Sequence, residues 1–396
     1  MDLWSPLAGL GRAAPKVPGP GSVGTARRAA RARGSGSLEG TPGAVAAGPP
    51  PGWGRRLVVH VDDPAPVGDG APPGRLVLDT VVGGQRLHWA AEGPDGWTLR
   101  VPAVCDVVVA GTLEEVVCRP APGITDDQLV LLVRGLVLAF VLTMAGECVL
   151  HASAVEVQGA GGAPGDAVAF AGPSGTGKST LAASACMAGA PFIADDLLRV
   201  HPGPSTRWLG RSAMLRIRPG AFDVVARRRV QWSAEPTADG RLALGPTPST
   251  HDWGMVRCVV CPRPSPDGRL RVRQLPGGEA VLALVGAGRL VQWRDRAVLE
   301  RQFIQVAELA DYVPVVAADV PWEPPREPRD PPGRAAAERP ADGAGLVASV
   351  GGAPEASARA EPGAGGATAA PGGLRAAGGS LAAAVLAAVL DEVGAR

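Results

Sequence analysis

The stretch Gly172-Pro173-Ser174-Gly175-Thr176-Gly177-Lys178-Ser179 fits the phosphate-loop pattern G-x-x-x-x-G-K-[ST] and constrains the fold more than any other part of the chain. Such a loop belongs between a buried strand and a helix N-terminus, where free backbone N–H groups and the helix dipole favour phosphate. The flanks supply both. Ala167 to Ala171 reads AVAFA, a short apolar run suited to a buried strand, and KSTLAASACMA from Lys178 is a good helix former closed by Gly189. Composition argues against accident. The chain has 55 glycines but only two lysines, Lys16 and Lys178, against 37 arginines. A chain that uses arginine nearly wherever a cation serves has kept a slim, flexible ammonium for the one slot that needs it. The expectation is an α/β fold in which Gly172, Pro173, Ser174, Gly175, Thr176, Gly177, Lys178, Ser179 and Thr180 hold ATP. Lys178 reaches the β- and γ-phosphates, and the Ser179 hydroxyl takes Mg²⁺.

The next apolar run, APFIADD, ends in Asp195 and Asp196, 17 positions after Lys178. In α/β sheets ligands bind beyond the carboxyl ends of strands, so this pair belongs near the γ-phosphate. Successive strand residues face opposite ways, so the two aspartates differ in role. One accepts the proton of an acceptor hydroxyl; the other, taken as Asp196, orients metal or water. Transport and motor ATPases carry their metal carboxylate much further along, and no L-S-G-G-Q signature occurs. A carboxylate on the strand directly after the loop helix suits a kinase acting on a hydroxyl. Upstream, LHASAVEV and AVAFAG flank a Gly/Pro loop and read as a hairpin. Pairing Val157 with Ala167 puts His151 opposite Pro173, beside the phosphate loop.

Taken together, LHASAV and GPSGTGKSTLAASACMAGAPFIADDLLRV resemble the catalytic domain of HPr kinase/phosphorylase, bacterial enzymes that phosphorylate a protein serine. The match covers about 50 residues closely and residues 121–322 in general layout. The resemblance implies a phosphoenolpyruvate-carboxykinase-like P-loop kinase fold. It makes His151 an active-site histidine that orients the phosphoryl acceptor system, Lys178 a phosphate ligand, Ser179 a Mg²⁺ ligand and Asp195 the general base. Two departures stand out. Arg216 occupies the slot in LRIR where the family carries a magnesium glutamate, and the late Pro-Gly-Arg-Asn segment has LPGGEA as its nearest counterpart. HPr itself and the reverse reaction are therefore not implied. LHA in place of LHG points to a broader HPr-kinase-like group, some of whose members serve peptide tailoring clusters.

The 396 residues are 46% apolar, enough for a sizeable core, and a net charge of +1 argues against a nucleic-acid partner or an anionic membrane. Residues 1–54, rich in Gly, Ala, Pro and Arg, are read as a disordered tail, with Arg27, Arg28, Arg31 and Arg33 as solvated charges. Residues 55–120 hold short β-branched runs between turns, hence a small, mostly antiparallel sheet in which His60 and His88 are ordinary strand residues. The kinase-like region spans 121–322 and opens with a buried helix capped by Thr125 and Gln128 and stopped near Gly146. Later strands are expected at MLRIRPG, RLALG, VRCVVCPRP, GRLRVRQL and AVLALVG, and a helix near RDRAVLERQFIQVAELADYV. Residues 323–379 are read as disordered, and 380–394 as a terminal helix capped by Ser380.

No secretory segment opens the chain, and Leu136–Ala145 is too short to span a bilayer, which needs about 20 apolar residues. Six cysteines, mostly in apolar runs, suit a reduced, cytoplasmic protein. Cys258 and Cys261, three apart on a strand, face opposite sides and read as core. The run Arg227–Arg229 reads as a solvated face, and His251-Asp252 is given no role. The partner expected is a protein or peptide phosphoacceptor; homo-oligomerisation is left open. Two alternatives remain, a small-molecule kinase of the same design and a non-catalytic nucleotide sensor.

Overall fold

The computed structural model describes residues 57–157, 165–212, 214–226, 232–322 and 381–394. The expectations for residues 1–54 and 323–379, the Arg227–Arg229 run and the Ser380 cap lie outside the described residues. The protein is mixed α/β, with several sheets, more strand than helix, and a few helices.

The first sheet contains β1 (Val58–Val61), β2 (Arg75–Val82), β3 (Gln85–Gly93), β4 (Gly96–Val101), β5 (Cys105–Ala110) and β6 (Glu115–Pro120). Its order is β1-β6-β5-β4-β3-β2, antiparallel except for the β1–β6 pair. Strand β2 turns into β3 through Gly83 and Gly84, both at positive φ (59° and 80°), as a two-residue hairpin needs. Cys105, Val107 and Val109 alternate inward. They pack on a helix built from α1 (Asp126–Leu132), a π-helical turn (Val133–Val137) and α2 (Leu138–Met144). Thr125 and Gln128 make the capping box at its start, and Gly146 at φ 88° follows its end. Over Asp126–Met144 this helix is long and apolar enough to cross a membrane, but 61% of its window is buried. Phe140 stacks on Trp293 at 5.7 Å and meets the edge of Trp97 at 6.2 Å.

The chain continues through β7 (Cys148–Leu150), β8 (Ala152–Glu156), β9 (Ala167–Ala171), α3 (Lys178–Met187), β10 (Phe192–Ala194), β11 (Leu198–His201) and β12 (Arg207–Leu209). Then come β13 (Leu215–Ile217), α4 (Pro219–Ala226), β14 (Ala234–Pro236), β15 (Leu242–Leu244) and β16 (Trp253–Pro264). The last elements are β17 (Arg271–Gln274), α5 (Gly277–Gly286), α6 (Arg296–Tyr312), β18 (Val315–Val320) and α7 (Leu381–Gly394). The long β16 joins two sets of partners: β10-β8-β9 with β18 and β17, and β12-β11-β7. Side chains alternate along β9. Val168 and Phe170 meet α3 and α7, whereas Ala167, Ala169 and Ala171 join the cluster containing α5 and α6. Helices thus cover both faces. Strands β13-β15-β14 form a third, small sheet.

Strand β8 lies between β9 and β10 and is antiparallel to both. Strands β9 and β10 therefore run the same way and end at the same edge, where β8 begins. The hairpin register is one residue off the expected one. Glu156, not Val157, pairs with Ala167, so His151 meets Gly172 through a 3.4 Å backbone contact. One element differs in kind. AVLALVG, expected as a strand, lies in α5, where Ala280 and Leu284 are buried while Leu282 and Val285 are exposed. Burial at i and i+4 only is the helical period, and Pro276 and Glu279 open the helix. Cys258 and Cys261 pack into the two opposite clusters.

Candidate functional site

Between β9 and α3 the chain turns through Gly172, Gly175 and Gly177 at φ of 144°, 88° and 94°. Gly177 is the N-cap of α3 and offers no side-chain cap, so the first N–H groups of the helix remain available to an anion. Lys178 is buried, and its Nζ donates to the Pro173 carbonyl at 2.8 Å, a carbonyl that also accepts from Thr176 Oγ1 at 3.0 Å. Burial pulls the Lys178 ammonium down to about 8, against the opposing pull of Asp196 and Asp195.

Asp195 and Asp196 follow β10 and diverge. Asp195 is 6% exposed. Its Oδ1 accepts from Ser153 at 2.5 Å and from Ser179 at 2.7 Å, and its Oδ2 accepts from the Arg216 backbone N–H at 2.9 Å. Burial, reinforced by the Asp196 charge, raises its pKa. Asp196 sits at φ 65°, a left-handed conformation that turns the chain at the strand end. Its carboxylate is held by Arg216, lies 3.3 Å from Arg241 Nη1 and is 3.6 Å from His151 Nε2. Burial alone would raise the Asp196 pKa, but His151 and the Arg216, Arg241 and Arg289 charges hold it well below the usual carboxylate range. Burial lowers the His151 pKa, which keeps the imidazole neutral near pH 7. Arg216 also pairs with Asp239 at 2.8 Å.

These groups surround a cavity of about 160 Å³. Among the expected residues, His151, Lys178, Ser179 and Asp196 line it, with Ser174, Gly175, Gly177 and Thr180 from the loop and helix start. Asp195 lies beneath the lining and is reached through Ser179. Gly172, Pro173 and Thr176 shape the loop without lining the cavity. The Asp196 side chain meets arginines and His151, whereas Ser179 bonds to Asp195. His251 faces Glu156 at 3.4 Å and Asp252 pairs with Arg211, so neither belongs to this cavity.

No family model and no curated protein matches the chain.

Sequence reasoning missed Ser153, Arg241, Asp239, Arg289 and Trp322. Ser153 had a signal, since it stands two residues after His151 at the start of a strand that begins beside the loop. Arg241 and Asp239 precede β15, far along the chain, and nothing local marks them. Trp322 packs on the loop so closely that a Cβ at Gly177 would come within 2.2 Å of its ring.

Proposed function

We propose that the chain is an ATP- and Mg²⁺-dependent kinase on a phosphoenolpyruvate-carboxykinase-like P-loop fold, transferring the γ-phosphate to a hydroxyl of a protein or peptide serine. One observation carries this reading: a glycine turn at a helix N-terminus, a buried lysine on that turn and the Ser179–Asp195 pair converge at one sheet edge. The hydroxyl acceptor is supported by the carboxylates at that edge; serine as its carrier rests on the HPr-kinase-like resemblance. The cavity is smaller than the clefts of about 300–1,000 Å³ that enclose whole ligands, which suits the phosphate end of a nucleotide.

No group of three His, Cys, Asp or Glu side chains able to hold a metal occurs among the described residues. Mg²⁺ needs no such cage, because it keeps waters and takes one or two protein oxygens with phosphates. Ser179 and Asp195 fit that demand. Bound there, the ion would neutralise charge across the β- and γ-phosphates. The loop N–H groups and Lys178 bind and orient the phosphates. Asp195, hydrogen-bonded to Ser153 and Ser179, fixes the Ser179 hydroxyl. Asp196 faces the cavity, where neutral His151 and the arginines set its orientation toward an acceptor hydroxyl. This division reverses the sequence reading, in which the resemblance makes Asp195 the base and the strand-end argument gives Asp196 to metal or water.

Incubation with γ-labelled ATP and the products of neighbouring genes tests the reading. Label on a protein or peptide is the expected result; label on a metabolite points to a small-molecule kinase. Nucleotide binding without transfer to any acceptor leaves a regulatory sensor, for which Asp195→Asn would retain biological activity. A linked pH effect is expected. A phosphate beside Lys178 restores its proton, so Mg-nucleotide binding takes up protons between about pH 8 and 10.5, and affinity falls as pH rises through that window. Calorimetry in two buffers of different ionisation enthalpy measures the uptake, and Lys178→Met abolishes it. The sign for folding is opposite: a lysine pKa depressed in the fold costs stability below about 8, and the cost fades as pH rises toward 10.5.

A further inference from the structure

Arg289 lies outside the sequence motif yet belongs to the same corner of the fold. The segment Ala287–Arg289 runs antiparallel beside β7: Leu150 bridges Gly288, His151 N–H donates to the Ala287 carbonyl at 2.7 Å, and Arg289 N–H to the Val149 carbonyl at 3.3 Å. Val149 and His151 are two apart, so Arg289, opposite Val149, sits on the His151 side of that pairing. Among the described residues the Arg289 guanidinium has no hydrogen-bond or ion-pair partner, and its Nε is fully buried. It comes close to Gly135 in the π-helical turn, where a Cβ would stand 3.4 Å from Nη2. Turns of this kind often mark functional positions.

Arg289 is half-buried, and a guanidinium whose Nε is shut off from solvent and unpaired favours an anion beside it. Among the described residues no carboxylate comes within ion-pair distance of it, although the Asp196 and Asp195 charges act on it from further away. Asp195 is committed to Ser153, Ser179 and the Arg216 N–H, and Asp196 to Arg216 and Arg241. His88, whose Nε2 is also buried and unpartnered, is pushed down to about 4 by burial and then by the Arg289 charge, so it stays neutral. Lys178, Arg216, Arg218 and Arg241 line the cavity against one lining carboxylate, Asp196; Arg289 lies outside the lining, where its charge acts on Asp196 and Asp195.

We infer that Arg289, with Arg216 and Arg241, forms an oxyanion subsite separate from the glycine turn. It receives a phosphate- or carboxylate-type group, either the phosphoryl group in transit or an acidic group carried by the acceptor. The inference rests on the kinase reading for its role in transfer, but not for its anion chemistry.

The test titrates the full chain with inorganic phosphate, Mg-ADP and a non-hydrolysable Mg-ATP analogue. Phosphate should bind wild type and Lys178→Ala, and should weaken on the order of tenfold or more in Arg289→Gln, as loss of a charge-assisted hydrogen bond implies. Arg289→Lys should recover part of the loss. If Arg289→Gln also erases the preference for the ATP analogue over ADP, the subsite takes the γ-phosphoryl group; if that preference survives, it takes an acidic group of the acceptor. Failure of Mg-ADP to bind wild type would sink the nucleotide reading alone. Arg289→Met should melt at or above the wild-type temperature when no anion is added, since it removes a half-buried charge that has no ion pair among the described residues. Phosphate binding unchanged in Arg289→Gln, or a collapse of folding in Arg289→Met, overturns the inference.

Discussion

Asp195→Asn should cut phosphoryl transfer by roughly two to four orders of magnitude while leaving the protein folded. The carboxylate accepts three hydrogen bonds, two from the Ser153 and Ser179 hydroxyls on Oδ1 and one from the Arg216 N–H on Oδ2. Asparagine keeps one carbonyl oxygen. If that oxygen faces the serines, its NH₂ group points at the Arg216 N–H, a donor facing a donor. If it flips, Ser179 loses its acceptor and its hydroxyl turns from the phosphate side. Either way one buried polar group is left unpaired, a cost of about 1–3 kcal/mol. Removing a charge that burial already disfavours offsets part of this cost, so melting should shift by only a few degrees. The comparison with Asp196→Asn separates the two carboxylates. Loss of Asp195 should raise the Mg²⁺ concentration needed for half-maximal rate, because Ser179 is no longer oriented. Loss of Asp196 should lower kcat at an unchanged Mg²⁺ requirement. Activity surviving in Asp195→Asn would remove the Ser179–Asp195 pair from the chemistry.

What could be read in the sequence was local. The glycine turn, its flanking strand and helix, the Thr125–Gln128 cap and the alternation of β5 each depend on residues within a few positions of one another. The β8–β9 register came no closer than one residue because both strands are buried along their whole length, so no alternation of apolar and polar residues pins the pairing. The AVLALVG run was misread because seven apolar residues satisfy a strand and a helix equally; only the packing of Ala280 and Leu284 decides. The divergence of Asp195 and Asp196 followed from strand alternation, whereas the left-handed backbone at Asp196 has no sequence signature. The arginine web was invisible for another reason. Only Arg216 stood out, through its place in LRIR; Arg241 and Arg289 come from two further segments, and one arginine among 37 carries no mark of its place.

Gly177→Ala should unfold the loop corner and abolish nucleotide binding, and its comparison with Gly175→Ala tells why. Both glycines have positive φ, 94° at Gly177 and 88° at Gly175, so alanine at either pays about 1–2 kcal/mol of backbone strain. Their surroundings differ. A Cβ at Gly175 meets nothing within 4 Å, while one at Gly177 would lie 2.2 Å from Trp322 Cζ2 and 2.8 Å from Cε2. An indole ring is not the loose end of a flexible chain, so relief requires moving the ring or the start of α3. Overpacking of this kind adds about 1–3 kcal/mol. The expected total is therefore about 2–5 kcal/mol for Gly177→Ala against about 1–2 for Gly175→Ala, read as the difference in denaturant midpoint at constant m. Adding Trp322→Ala should restore the packing share in Gly177→Ala and none of the strain, a coupling that a double-mutant cycle isolates. The physical consequence concerns function as much as stability. Trp322 follows β18 and braces the turn from outside, so the N–H groups at the start of α3 keep their direction without a side-chain cap. Equal midpoints for the two alanine variants would mean that the ring does not brace the loop, and the rigidity of the phosphate cradle would need another source.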